Sequence, residues 1–224
     1  MNKPSASKAS ILIAFIATSN LVFADEARAG DTNLPEIPSY APNPFKKAPT
    51  VAVNLADNIG ALERTLYADV NENKPEDLRI SALERTVFGT SYANAKLSLA
   101  TRTVGLEKVV DRLLAGRKLF EEKRWTETIK ESEEVLKLLG KDYKSLVRAE
   151  VHYRLGMCQY ELSNIKRAAT TPGVKLNGVM IRDSKDNLSK AQEYYKSLGQ
   201  PDTAQKITAF MATFKDQSEK SFLY

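Results

Sequence analysis

The sequence predicts an all-α protein, on three observations. The phrase Ala61-Leu62-Glu63-Arg64-Thr65-Leu66-Tyr67 returns as Ala82-Leu83-Glu84-Arg85-Thr86-Val87-Phe88 and, altered, as Gly105-Leu106-Glu107-Lys108-Val109-Val110. Repetition at such short intervals marks a repeat architecture. From residue 51 onward, apolar residues recur at spacings of three and four, the period of one helix face. Glycine- and proline-containing turns divide those stripes into separate helices.

Composition allows a packed core. The chain has 224 residues, 42% hydrophobic and 27% charged, enough for one or two folded units. Its formal net charge is +5, falling to +3 without Lys3 and Lys8, which lie in a segment expected to be removed. The pI of 9.1 comes with no block of five like charges and no basic stripe interleaved with aromatics, so nucleic acid is not an expected partner.

The first 24 residues read as a signal peptide. Lys3 and Lys8 form a basic region, Ile11 to Ala17 an apolar run, and Val22 and Ala24 suit the positions before a cleavage. Cleavage is expected after Ala24, with Ala29 as a second site. The apolar run is shorter than the ~20 residues that span a bilayer, so no stable transmembrane anchor is expected after processing. The product is expected to be exported, periplasmic or extracellular. Residues 25–50 then read as a disordered, proline-rich linker: Pro35, Pro38, Pro42, Pro44 and Pro49 are five of the nine prolines, and proline favours extended geometry without amide donors.

Residues 51–103 are expected to hold short helical repeats. Leu55, Ile59, Leu62 and Leu66 form one stripe, and Leu78, Ile80, Leu83 and Val87 a second. Between them Asn71-Glu72-Asn73-Lys74-Pro75 is turn-rich. Pro75 followed by Glu76 and Asp77 suits a helix start, since acids favour the positive end of the helix. Gly89 is expected to stop the second helix. Leucine and the aromatic residue of each phrase are expected on the buried side, with glutamate and arginine outward. The third copy lacks an aromatic-glycine ending and is expected to run on, through Leu106, Val109, Val110, Leu113 and Phe120, as a longer helix.

These copies resemble the short Leu-Glu-x-x-x-aromatic-Gly repeats of some exported bacterial proteins. Residues 104–217 resemble a tetratricopeptide (TPR-like) helical domain. In the first hairpin Gly116 stands where close helix crossing requires a small residue, Trp125 at the inter-helix turn, and Thr128, Ser132 and Val135 on the inward face of the second helix. In the next, Tyr153-Arg154-Leu155-Gly156-Met157-Cys158-Gln159-Tyr160 is the best match, within a helix from Leu146 to Leu162. Thr170-Thr171-Pro172-Gly173 and Asn177-Gly178 break the pattern until about Asp183. A helix from Ser184 to Leu198 and another after the cap Asp202, with the stripe Ala204, Ile207, Phe210, Met211 and Phe214, would complete the stack. A tail, 218–224, follows. The resemblance implies helical hairpins stacked as a short solenoid, with a concave groove receiving Leu113, Arg117, Phe120, Tyr153, Met157 and Tyr160. The alternative is that two hairpins make too short a stack and the tyrosines pack against the terminal helix.

Catalytic chemistry finds no constellation in the sequence. His152 and Cys158 are the single histidine and cysteine, six residues apart in one helix and roughly 120° apart around it, so they do not form a dyad. No zinc-ligand spacing, phosphate loop or nucleophile turn is present, and no metal or cofactor is expected. Glu121, Glu122, Glu133 and Glu134 fit a solvated helix face. Cys158 is expected to be a buried free thiol. The sequence therefore points to non-covalent binding of a protein or peptide in the cell envelope, with a structural spacer as the alternative and an enzyme of unrecognised class third; oligomeric state is left open.

Overall fold

The computed structural model describes residues 54–93, 96–140, 143–169 and 178–214. The expected signal peptide, the linker and the tail lie outside these residues. Among the described residues there are seven helices and no strand: α1 (Leu55–Tyr67), α2 (Glu76–Phe88), α3 (Leu99–Glu121), α4 (Trp125–Leu139), α5 (Leu146–Ala169), α6 (Gly178–Ser197) and α7 (Pro201–Ala212). The protein is all-α, its helices packed in a stack. None of these helices is long and apolar enough to cross a membrane.

Local chemistry accounts for the ends. Helix α1 stops at Ala68, whose φ of 59° is left-handed and whose N–H closes on the carbonyl of Arg64. Helix α2 begins after Pro75, with Glu76 and Asp77 in its first turn, and stops at Gly89, φ 77°, a conformation glycine adopts without steric cost. The Ser98 hydroxyl caps α3 by accepting from the Thr101 N–H. The third phrase does run on: α3 continues through Glu121, so the 103/104 domain boundary falls inside a helix.

Two apolar clusters lie along the stack. The first gathers Ile59 and Leu62 of α1, Ile80, Leu83, Val87 and Phe88 of α2, Leu106, Val109, Val110 and Leu113 of α3, Val135 of α4 and Val151 of α5. Each of α1, α2 and α3 touches the other two. The second cluster holds Phe120, Tyr153, Met157, Cys158, Leu188, Tyr195, Ile207 and Phe214. Ile129 packs against both clusters, which makes the interior continuous from the repeats to the terminal helix.

Three sequence expectations are corrected. Leu78 is 56% exposed instead of joining the α2 stripe; it lies in the first turn, and Ile80, Leu83 and Val87 take the buried face. Helix α6 begins at Gly178, six residues before the expected Ser184. Helix α7 is capped at Gln200 with Pro201 in its first turn, so Asp202 lies inside the helix and acts through the helix dipole.

Candidate functional site

Gly116 and Gly156 sit where helices cross closely. A Cβ on Gly156 would lie 2.6 Å from Leu188 Cγ and 3.0 Å from the Ser184 carbonyl oxygen, so α5 and α6 meet here only because position 156 has no side chain. The Ser184 hydroxyl fills the remaining polar gap by donating to the Gly156 carbonyl at 2.7 Å. At Gly116 the missing side chain admits a guanidinium: Arg154 Nη1 would lie 2.9 Å from a Cβ there.

Around Arg154 the structure gathers a charged group of three. Arg117 of α3 donates through Nε and Nη2 to the two carboxylate oxygens of Glu150 on α5, at 2.7 and 2.8 Å. Arg154, one turn along α5, donates Nη2 to the same carboxylate. Arg117 Nη1 also reaches the Thr65 carbonyl of α1 at 3.4 Å, so this arginine ties α1, α3 and α5 together. Burial alone would raise the Glu150 pKa, but Arg154 and Arg117 outweigh it and hold the carboxyl below its ordinary value. The bond to Glu150 raises Arg117 in turn. Tyr195 of α6 faces this group, and its hydroxyl is pushed up by burial and then by Glu150. Among the described residues, Arg154 Nη1 and the Tyr153 hydroxyl have no hydrogen-bond partner.

The six sequence-derived groove residues divide by exposure. Leu113, Phe120, Tyr153 and Met157 are 0, 7, 3 and 1% exposed, which leaves them no surface to offer a peptide in this arrangement. Leu113 belongs to the first apolar cluster and the other three to the second. Phe120 meets the edge of Trp125 at 5.5 Å between centroids. Arg117 and Tyr160 retain solvent contact. Tyr160 stacks on Phe214 with centroids 4.4 Å apart and planes 5° from parallel, and meets Phe210 edge-on at 5.2 Å. Tyr160 thus packs against α7 and Phe214 just beyond it, and Tyr153 shares a cluster with residues of α6 and α7.

His152 and Cys158 do not converge. The His152 Nδ1 is bonded to Asn187 Oδ1 at 2.8 Å. Cys158 is buried and unbridged, and burial pushes its thiol up to about 12. Among the described residues no three His, Cys, Asp or Glu side chains form a group able to hold a metal ion.

The repeat phrase holds the largest surprise. Its glutamates do not face outward: Glu63 and Glu84 are 1 and 0% exposed, while Arg64 and Arg85 are exposed as expected. Arg79 donates to both oxygens of Glu63 at 3.1 and 2.8 Å, and Arg102 to both of Glu84 at 2.8 and 2.7 Å. Each glutamate also accepts a backbone N–H eight residues downstream, from Asn71 at 3.1 Å and Tyr92 at 2.8 Å. One carboxylate therefore closes the loop after its own helix and grips the next helix. The arginines carry a signal visible in the sequence, since Arg79 and Arg102 each precede a repeat glutamate by five residues.

These features define the class: an all-α stack of repeat helices and hairpins, joined by buried ion pairs. In comparisons with known proteins, no family model, curated protein or solved structure matches the chain.

Proposed function

We propose that the chain is a non-catalytic protein- or peptide-binding scaffold of the bacterial cell envelope, exported by its N-terminal apolar segment and built on TPR-like hairpins. The observation that supports this is the Arg117–Glu150 pair: it joins α3 and α5, the first helices of successive hairpins, side by side, and stacked helices of that kind present a continuous face to a partner. With Leu113, Phe120, Tyr153 and Met157 in the interior, the binding face reduces to Arg117 and Tyr160 and the exposed residues around them. An arginine and an aromatic at a partly open position supply directed donors and contact area.

The test is site-specific photo-crosslinking in cells, with the probe beside Tyr160 or Arg117 and, as control, on the outer face of α4 at Glu133. A discrete adduct from the first two positions and none from the third is expected. Folded protein that yields no adduct at either position overturns the reading. Mass spectrometry of the exported form is expected to find a mature N-terminus after Ala24; full-length protein confined to the cytosol overturns the localisation. The structural-spacer alternative draws on the ion-paired repeat helices, and it predicts that Arg117→Ala and Tyr160→Ala leave the envelope phenotype of the wild type unchanged.

A further inference from the structure

Aligned on their glutamates, α1, α2 and α3 begin at the same register, at Leu55, Glu76 and Leu99. The residue five before the glutamate is Asn58 in the first helix, Arg79 in the second and Arg102 in the third. Glu63 of α1 is held by Arg79 of α2, and Glu84 of α2 by Arg102 of α3. Glu107 of α3 accepts from Asn58 Nδ2 of α1. The same pair of positions is thus used three times, and the third use leads back to the first helix. The phrases form a closed cycle of contacts instead of an open row.

The cycle has one unequal link. Two links are bidentate guanidinium–carboxylate pairs almost fully out of water, the strong form of the interaction. The third is a single amide donor on a partly exposed carboxylate. Glu107 also caps no loop, because α3 continues beyond it, whereas Glu63 and Glu84 each hold a downstream amide. Among the described residues Glu107 forms no ion pair.

We infer that the Asn58–Glu107 contact is a built-in seam, at which α1 parts from α3 while Glu63 and Arg79 keep it joined to α2 and Glu84 and Arg102 keep α2 joined to α3. This inference is independent of the binding reading above. Detachment breaks the Asn58–Glu107 bond and also frees the Thr65 carbonyl from Arg117, so seam opening changes the surroundings of Arg117 without unfolding α3.

Hydrogen–deuterium exchange of the full chain, followed on peptides from α1, α2 and α3, tests this. Local openings exchange amides faster than global unfolding does, and α1 is expected to exchange about tenfold faster than α2 and α3. Asn58→Arg places a guanidinium at the position the other two copies already use and is expected to slow α1 severalfold, with α2 and α3 unchanged. Asn58→Asp sets a second carboxylate against Glu107 and is expected to speed α1 alone. In Asn58→Arg/Glu107→Gln the slowing is expected to vanish, a result that simple end-fraying of α1 does not produce. Equal exchange of all three helices in the wild type overturns the seam. So does slowing by Asn58→Arg that survives Glu107→Gln. If Asn58→Arg does not fold, Asn58→Asp decides: an equal effect on all three helices overturns the inference.

Discussion

Arg102 places two nitrogens on the two carboxylate oxygens of Glu84, at 2.8 and 2.7 Å, with side chains 3 and 0% exposed. The pair joins α3 to α2, and its Nη2 also donates to Ser81 at 2.9 Å. Removing one member strands the other in the interior. Glu84→Ala and Arg102→Ala are each expected to lower unfolding free energy by about 3–5 kcal/mol, whereas the apolar replacement Glu84→Leu/Arg102→Met costs less than either, because no charge is left without a partner. Urea denaturation of the three variants checks the ordering.

Gly89 and Gly199 share a left-handed backbone, φ 77° and 75°, but differ in what surrounds them. A Cβ at 89 would lie 2.6 Å from the Lys144 carbonyl oxygen; at 199 it would meet nothing within 4 Å. Gly199→Ala is expected to cost only the conformational strain, about 1–2 kcal/mol. Gly89→Ala is expected to cost more, since a backbone atom must move as well. Thermal melts of the two variants report the steric part as their difference.

Gly156→Ala drives a methyl group into Leu188 and the Ser184 carbonyl. Overpacking of this kind costs about 1–3 kcal/mol, and the backbone oxygen gives less than a side chain would. At Gly116 the obstacle is the far end of Arg154, which can swing aside. Gly156→Ala is therefore expected to lower Tm more than Gly116→Ala.

Glu150 and Glu107 respond to acid in opposite senses. The Glu150 carboxyl is opposed by burial but held down overall by Arg154 and Arg117, so its stabilisation is complete above the unfolded-state value and is lost as pH falls through the lower folded value. Glu107 is raised, first by burial and further by Asp111, against the opposing bond from Asn58; its contribution is complete at low pH and is lost as pH rises through the folded value. Tm measured against pH across the ordinary carboxylate range is expected to fall less steeply on the acid side in Glu150→Gln than in the wild type, and more steeply in Glu107→Gln.

Cys158 is expected to resist thiol reagents at pH 8 in the native protein and to react at once in denaturant, because burial holds the thiol protonated, with its pKa pushed up to about 12. Colorimetric titration with and without urea distinguishes the two states.

Much of the helical architecture was legible from periodicity and punctuation. Ile59 and Leu62, and Ala204, Ile207 and Phe214, face inward as their spacing predicts, and Thr128, Ser132 and Val135 are buried at the positions that the resemblance turns inward. Gly116, matched to a small-residue position, does stand at a close approach, where Arg154 Nη1 would lie 2.9 Å from a Cβ. What could not be read was which charged residues are buried. Glu63 and Glu84 follow the same pattern as a solvated glutamate, and only the arginine supplied by the next helix makes their burial affordable. Tyr153 and Met157, expected to line a groove, are buried in the second apolar cluster, whose members on α6 and α7 are distant in sequence.

The cycle of α1, α2 and α3 also limits how this part of the chain can grow. An open array lengthens by duplication, since its last unit presents the acceptor that a new unit needs. Here the acceptor of the third unit, Glu107, is occupied by the first. A fourth phrase following α3 would have to compete with Asn58 of α1 for Glu107 instead of finding a free acceptor.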